Sequence, residues 1–437
     1  MPPVFGEGWM DMSRQAALDF LEKHGMSPER VLPSRDARGM AEEMERGLAG
    51  QESSLAMIPT YLSVDGQIPK GVPVAVIDAG GTNFRSALVT FTEDGFRVED
   101  LHKWRMPGAR TPVSWEEFIR FTADSVEKLL DRTDRIGFCF SYSAAITPDM
   151  DGRVNGIDKE VVITGCKGQL VGASLNAELK RRGIPEKKIV ILNDTVAVLL
   201  AGAAVRDGAS YGGFLGQVSG TGTNTCCSVP RKRIGKLNLD GEESMIVNLE
   251  SGGYDGLPRG DFDRALDQAS NNPGIKLLEK ETAGVYLGEL VRRMLQAAAE
   301  EGLLSGQGAK KARALPPIDS AVIDAWACGE KLEDICETQE DRDFVTTLCQ
   351  AVFERSARCM CTNLAAILLL TGEGTDAQKP VCLCAEGSLV QKGRVYRPLL
   401  TEWIRREIEE TMGRHVEVHV GQETTLPGSA AAALLNT

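Results

Sequence analysis

Val74–Phe91 reads VAVIDAGGTNFRSALVTF. An alternating apolar run ends at Asp78, two glycines and two small polar residues follow, and a second alternating run begins at Phe84. Period-two alternation on both sides of a glycine pair predicts two antiparallel strands joined by a tight turn. A plain hairpin explains the glycines and Asn83, which tolerate positive φ. It does not explain an acid at the strand end. Gly80 and Gly81 leave backbone N–H groups without a Cβ in front of them, and such groups suit anionic oxygens. Thr82 and Asn83 add side-chain donors. Asp78 is suited to hold Mg²⁺ through water, because magnesium keeps part of its hydration shell.

The pattern continues on both sides of this stretch. Residues 10–50 read as helices, with apolar positions at helical spacing and glycine stops. Strands are predicted at 74–78, 84–91 and 96–105, then a helix capped by Ser114, a strand at 135–141, a helix at 169–183 and a strand at 188–192. Asn193-Asp194 closes that strand and opens a helix over 194–205, where Asn, Asp and Thr also serve as ordinary caps. The layout then recurs. A strand at 213–219 meets a second glycine turn, SGTGTN (Ser219–Asn224), and strands follow at 225–229 and 245–250. Helices at about 277–305 and 340–371, a strand at 381–385, a helix at 399–413 and a strand at 415–420 complete the chain. Two α/β units facing one another are expected, each opening with antiparallel strands around a Gly-Thr turn. The boundaries read as a helical segment 1–70 packing with the larger unit, a small α/β domain 71–195, a large one 196–427, and a C-terminal helix 428–437 returning to the small domain.

The chain has 437 residues, enough for a sizeable core, with 42% hydrophobic and 25% charged residues, as in soluble enzymes. A net charge of −13 argues against a nucleic-acid surface, which needs phosphates neutralised by Lys and Arg. No apolar run approaches the roughly 18 residues of a membrane span. An odd count of 11 cysteines without C-x-x-C pairs, and no export signal at the N-terminus, point to the reducing cytoplasm. The four histidines stand outside the glycine-rich segments, which makes histidine catalysis a poor reading.

Five segments in order then carry a resemblance. DAGGTNFR (78–85), ILNDTVAVLLAGA (191–203), GTGTNTC (220–226), VNLESGGYDGLPRGDFDRALDQASNNPG (247–274) and LLEKETAGVYLGELVR (277–292) together resemble the hexokinase family, of the bacterial-type single-unit kind. SLAMIPTYL (54–62) resembles the family segment before the first strand. The resemblance implies two actin-like, ribonuclease H-like domains, each with a mixed sheet flanked by helices, around a central cleft. It implies ATP-dependent phosphorylation of a hexose at the 6-hydroxyl with Mg²⁺, by a monomer or homodimer. In that family Asp194 is the general base and Lys159 assists. Ser141, Asn193, Asn224, Glu250 and Glu279 match sugar contacts. Asp78, Gly80, Gly81, Thr82, Asn83, Arg85, Gly220, Thr221, Gly222, Gly387 and Ser388 match the nucleotide side, with Glu386 where the family has Asp. Amides and carboxylates suit hydroxyls because they accept and donate in fixed geometry. A helix-opening Asp is also a reasonable base, since a loose phosphoryl-transfer transition state needs positioning and late proton acceptance more than strong basicity.

One segment departs. Where the family carries Phe-Ser-Phe-Pro and later Trp-Thr-Lys, this chain reads FSYSAA (140–145) and NGIDKEVV (155–162). Lys159 keeps the lysine, but Asp158 stands at the threonine. A rival placement on Thr164 and Lys167 requires shifted spacing. The departure leaves a second reading, a non-catalytic sugar sensor on the same fold. Asp158, an acceptor only when ionised, is expected to alter which sugars are favoured. Asp158→Thr should therefore reorder kcat/KM across a hexose panel, and an unchanged ranking removes the assignment.

Overall fold

The alternation around Asp78 folds into a hairpin. In the computed structural model, which describes residues 12–81, 83–157, 161–205, 211–241 and 243–437, strands β1 (Pro73–Ala79), β2 (Asn83–Thr92) and β3 (Gly95–Arg105) pair antiparallel in succession. Strands β4 (Arg135–Phe140) and β5 (Lys188–Leu192) add in parallel on the other side of β1. The order is β5-β4-β1-β2-β3. Central β1 is buried along almost its whole length, whereas edge strand β3 is largely exposed and carries Arg97, Glu99, Asp100, Lys103 and Arg105. Charges of this kind keep an open edge from pairing with another chain.

The second half repeats the plan strand for strand. Strands β6 (Gly213–Ser219), β7 (Thr223–Pro230) and β8 (Ser244–Asn248) pair antiparallel, and β9 (Val381–Glu386) and β10 (Val416–Val420) extend the sheet in parallel from β6. The order is β8-β7-β6-β9-β10, with Ile58–Pro59 pairing outside β8.

Helices α1 (Met12–Lys23) and α2 (Pro33–Leu48) share a core cluster with the second sheet and its helices. Helix α3 (Asp194–Val205) leaves β5 directly. Helix α4 (Gln339–Thr371) runs 33 residues, opened by a Thr338–Asp341 capping box and stopped by Gly372 at φ 78°, as glycine commonly stops helices. Helix α5 (Thr425–Asn436) ends the chain. A single core cluster joins Val196–Leu200 of α3 and Ala430–Ala433 of α5 to Val74, Val76 and Val190 of the first sheet. The same cluster takes in Phe214, Cys226, Ile246 and Cys382 on the second sheet. The two sheets therefore meet through these two helices.

The helix expected over 277–305 is two helices, Leu277–Thr282 and Gly284–Glu300. Ala283 turns to an extended ψ of 140°, and the N–H of Gly284 is donated to Gly220 O at 2.7 Å in the second glycine turn. A tertiary hydrogen bond has overridden helical periodicity. The helix expected over 399–413 begins at Tyr396 and becomes π-helical over Ile404–Thr411. A hairpin of Ser143–Ile146 with Gly152–Gly156 and helices Gly306–Arg313 and Ser320–Ala327 have no counterpart in the sequence reading. All eleven cysteines are free thiols and ten are buried. Among the described residues, no helix is long and apolar enough to cross a membrane.

Helices α3 and α5 cross almost backbone to backbone. A Cβ on Gly428 would lie 1.9 Å from Ala197 O, and one on Gly137 of β4 would lie 2.0 Å from Ser429 O. Neither backbone oxygen has a side chain's freedom to move away. Gly428→Ala should lower stability by about 1–3 kcal/mol, the usual cost of overpacking, read as a lower thermal midpoint in calorimetry; an unchanged midpoint would contradict the tight crossing.

Candidate active site

The first glycine turn closes with Gly80 N–H donating to Asn83 O at 3.0 Å. Asp78, at the end of β1, is buried. Its Oδ2 accepts from Arg85 Nε at 2.9 Å, from Arg85 Nη2 at 2.5 Å and from Thr425 Oγ1 at 3.2 Å. Arg85 Nη2 also donates to Thr425 Oγ1 at 2.7 Å. The guanidinium expected on the nucleotide side is thus engaged in tying β1 and β2 to the start of α5. Oδ1 of Asp78 accepts nothing from the described residues. That open oxygen fits a water-mediated hold on Mg²⁺ and leaves little room for a closer ligand set.

The second turn is built against a third. Gly220 N–H donates to Gly222 O at 3.0 Å. A Cβ on Gly387, where φ is +116°, would lie 2.3 Å from Ser219 O, and one on Gly220 would lie 3.1 Å from Ser388 N. The segments 219–222 and 387–388, far apart in sequence, therefore form one surface. Glu386 turns aside from it, accepting from Thr424 N at 3.0 Å.

Between the two sheets opens a cleft of about 310 Å³. Phe140, Tyr142, Leu192 and Asn193 line it from the first half, and Thr223, Asn248, Glu250, Lys276 and Glu279 from the second. Segment 54–60, whose sequence matched the family motif, also contributes to the lining. The acid-bearing wall is a connected network. Asn224 Nδ2 donates to Asn248 Oδ1 at 2.7 Å, and Asn248 Nδ2 donates to Glu250 Oε1 at 2.9 Å. Asn224 Oδ1 accepts from the N–H groups of Thr225 and Ser251 at 2.8 and 3.2 Å. Glu279 Oε2 accepts from Thr223 N at 3.1 Å. Each expected sugar-contact side chain on this wall is thus oriented by one bond with other polar atoms left over. Fixed acceptors of this kind are what hydroxyl recognition requires.

Asn193 and Asp194 behave as the strand end and helix start predict. Thr195 N–H donates to Asn193 Oδ1 at 2.9 Å and to Asp194 Oδ1 at 2.8 Å. Oδ2 of Asp194 accepts nothing from the described residues. Ser141 is buried, its N–H donated to Ala79 O at 3.1 Å and its hydroxyl 3.7 Å from Cys139 Sγ. Its neighbours Tyr142 and Ser143 line the cleft instead. Tyr142 OH donates to Gly80 O at 2.7 Å, joining the wall to the first glycine turn. Thr82, Asp158 and Lys159 lie outside the described residues, while Thr164 and Lys167 are exposed. The sequence reading missed Asn248 and Lys276. Asn248 had a signal, since it stands two residues before Glu250 on a strand and so shares its face.

Two family models, both described as hexokinase, match residues 19–204 and 214–435. The chain belongs to the hexokinase family. It is 30% identical over 436 residues to hexokinase-1 of Oryza sativa subsp. japonica, covering 91% of this chain and 86% of that one. It is 28% identical to the glucokinase of Aspergillus niger, covering 91% and 93%. Among solved structures, the Schistosoma mansoni hexokinase complexed with glucose superposes with a TM-score of 0.76 at 22% identity, covering 97% of this chain and 99% of that one. The fold is the two-domain actin-like one that the motifs imply.

Burial pushes the Glu250 carboxyl above its ordinary value of 4.5, helped by Asp194 and Glu279 and opposed by Lys276 and the Asn248 hydrogen bond. An acid whose folded-state pKa is raised adds stability below its unfolded value and loses it as pH rises through the folded one. Glu250→Gln has no such titration. Urea unfolding across pH 4–8 should show wild type losing ground to Glu250→Gln as pH climbs from about 4.5, then a plateau above the raised value. A constant difference at every pH would contradict the burial assignment.

Proposed function

We propose that this hexokinase-family protein transfers the γ-phosphoryl group of ATP to the 6-hydroxyl of a glucose-like hexose. The observation that carries this reading is the shared hydrogen-bonded frame of the cleft. Glu279 is anchored on Thr223, at the end of the same glycine turn that abuts Gly387 and Ser388. The sugar wall and the proposed phosphate wall are thus one piece of structure.

In this mechanism Asn193, Asn224, Glu250 and Glu279 hold the sugar's hydroxyls, with Ser141, Asp158 and Lys159 as further sugar-side groups carried over from the family pattern. Asp194 accepts the proton of the 6-hydroxyl as that oxygen bonds to the γ-phosphorus. The bond from the γ-phosphorus to the bridging oxygen breaks, and ADP leaves with its electron pair. Lys159 supplies positive charge beside the reacting groups. Amides of the 80–83 and 220–222 turns and of Gly387-Ser388 donate to phosphate oxygens, where preorganised dipoles are worth most. Asp78 would hold Mg²⁺ through water by its Oδ1, and the ion would neutralise charge on the phosphates. Arg85 acts by fixing Asp78. Closure of the two halves would exclude water and limit ATP hydrolysis.

A general base contributes about 10²–10⁴-fold. Asp194→Asn should keep sugar binding, measured by calorimetry, and lose at least about 10²-fold in kcat. Full activity in that variant would remove the base assignment. A coupled ADP assay across hexoses also separates this reading from a non-catalytic sugar sensor, which would release no ADP with any of them.

A further inference from the structure

Among the described residues that line the cleft, Lys276 carries the only positive charge. It stands in a costly backbone conformation. Nine described non-glycine residues have positive φ, and two of them, Glu250 and Lys276, both at 55°, face each other's surroundings in this cleft. Left-handed backbone at a residue with a Cβ costs energy and persists only where neighbouring structure enforces it.

The enforcing structure is explicit. Lys280, 3% exposed, donates from Nζ to Asp267 Oδ1 at 2.6 Å and to Asn272 O at 2.8 Å. Gly274 N–H reaches both oxygens of the same Asp267 at 3.0 Å, and Lys280 N–H closes onto Lys276 O at 3.2 Å. This buried ion pair clamps the loop 272–276 and delivers the Lys276 ammonium group to 4.0 Å from Glu279 Oε1. The groups acting on Glu250 come from every side: Asn248 from β8, Asp194 from α3, Glu279 from its short helix, and Lys276 from the clamped loop. Two of these are like charges. Lys276 is the strongest influence that favours the ionised form.

We propose that Lys276 is a positioning residue, whose ammonium group keeps Glu250 and Glu279 as charged hydrogen-bond acceptors for the sugar. This rests on the reading of the cleft as the sugar site. A carboxylate accepts at both oxygens, whereas a protonated one turns an acceptor into a donor, so a hydroxyl set matched to the charged form is lost on protonation. The residue itself need not touch the sugar.

The test is kcat/KM for glucose, with KM for ATP measured in parallel, on the full chain from about pH 5.5 to 9. Wild type, Lys276→Gln and Lys276→Arg are compared, Gln and Arg facing the same backbone cost as Lys. Because kcat/KM reports ionisations of the free enzyme, removing the positive charge should move the acidic limb upward by at least ~0.5 pH. The glucose KM of Lys276→Gln should be several-fold raised near pH 6.5 and return toward wild type by pH 8.5, with ATP KM unchanged and Lys276→Arg close to wild type. Superimposable profiles in an active wild type would overturn this inference alone, as would a loss of equal size at every pH, which marks a simple contact. A wild type inactive with every hexose would remove the sugar-site reading and this inference with it.

Discussion

The crossing of α3 and α5 between the two sheets is the constraint on which the rest of the molecule depends. Neither sheet could bring its cleft-facing strand end to the other if these helices were held apart by side chains of ordinary size. Alanines and one glycine on α5 allow the approach, and the absence of a Cβ at Gly428 leaves only backbone between the axes. Both helices also begin at the cleft. Asp194 opens α3, while Thr424 and Thr425 at the start of α5 bind Glu386 from the second half and Asp78 with Arg85 from the first. Packing and polar contacts thus converge on the same few residues.

The electrostatics follow from this architecture. A chain of net charge −13 places three carboxylates, Asp194, Glu250 and Glu279, around one cleft, against the general tendency of like charges to separate. Buried ion pairs under that wall hold it together: Lys280 with Asp267, and Arg355 with Asp263 at 2.8 Å. Arg355 also lies 3.4 Å from Glu281, whose fully buried carboxyl is pushed up to about 8. Such pairs seldom add much net stability, but losing one partner leaves a charge stranded in a dry interior. They serve here to fix the loop and short helix that present the cleft's charged groups.

Much of this was legible in the chain itself. Alternation and glycine turns revealed ten strands in two matching sets, because strand burial writes directly into period-two patterning. The motif residues gave the family. What stayed hidden depended on contacts between distant segments. Nothing local says that Ala283 must break a helix so that Gly284 can reach Gly220, or that Arg85 binds Asp78 in preference to facing outward. Ser141 looked like a wall residue on motif grounds, yet its neighbour Tyr142 takes that place. Lys276 sits in a polar loop where a lysine is ordinarily a solvated charge, and only the fold of 267–280 turns it inward.

The break at Ala283 has a thermodynamic corollary. The six-residue segment Leu277–Thr282 is fastened near both ends to one loop, through Glu279 to Thr223 and through Gly284 to Gly220. Any guest that shifts Glu279 perturbs the neighbouring backbone amides one bond away. Coupling free energy is symmetric between two occupants, so whatever advantage the first confers on the second is returned in equal measure.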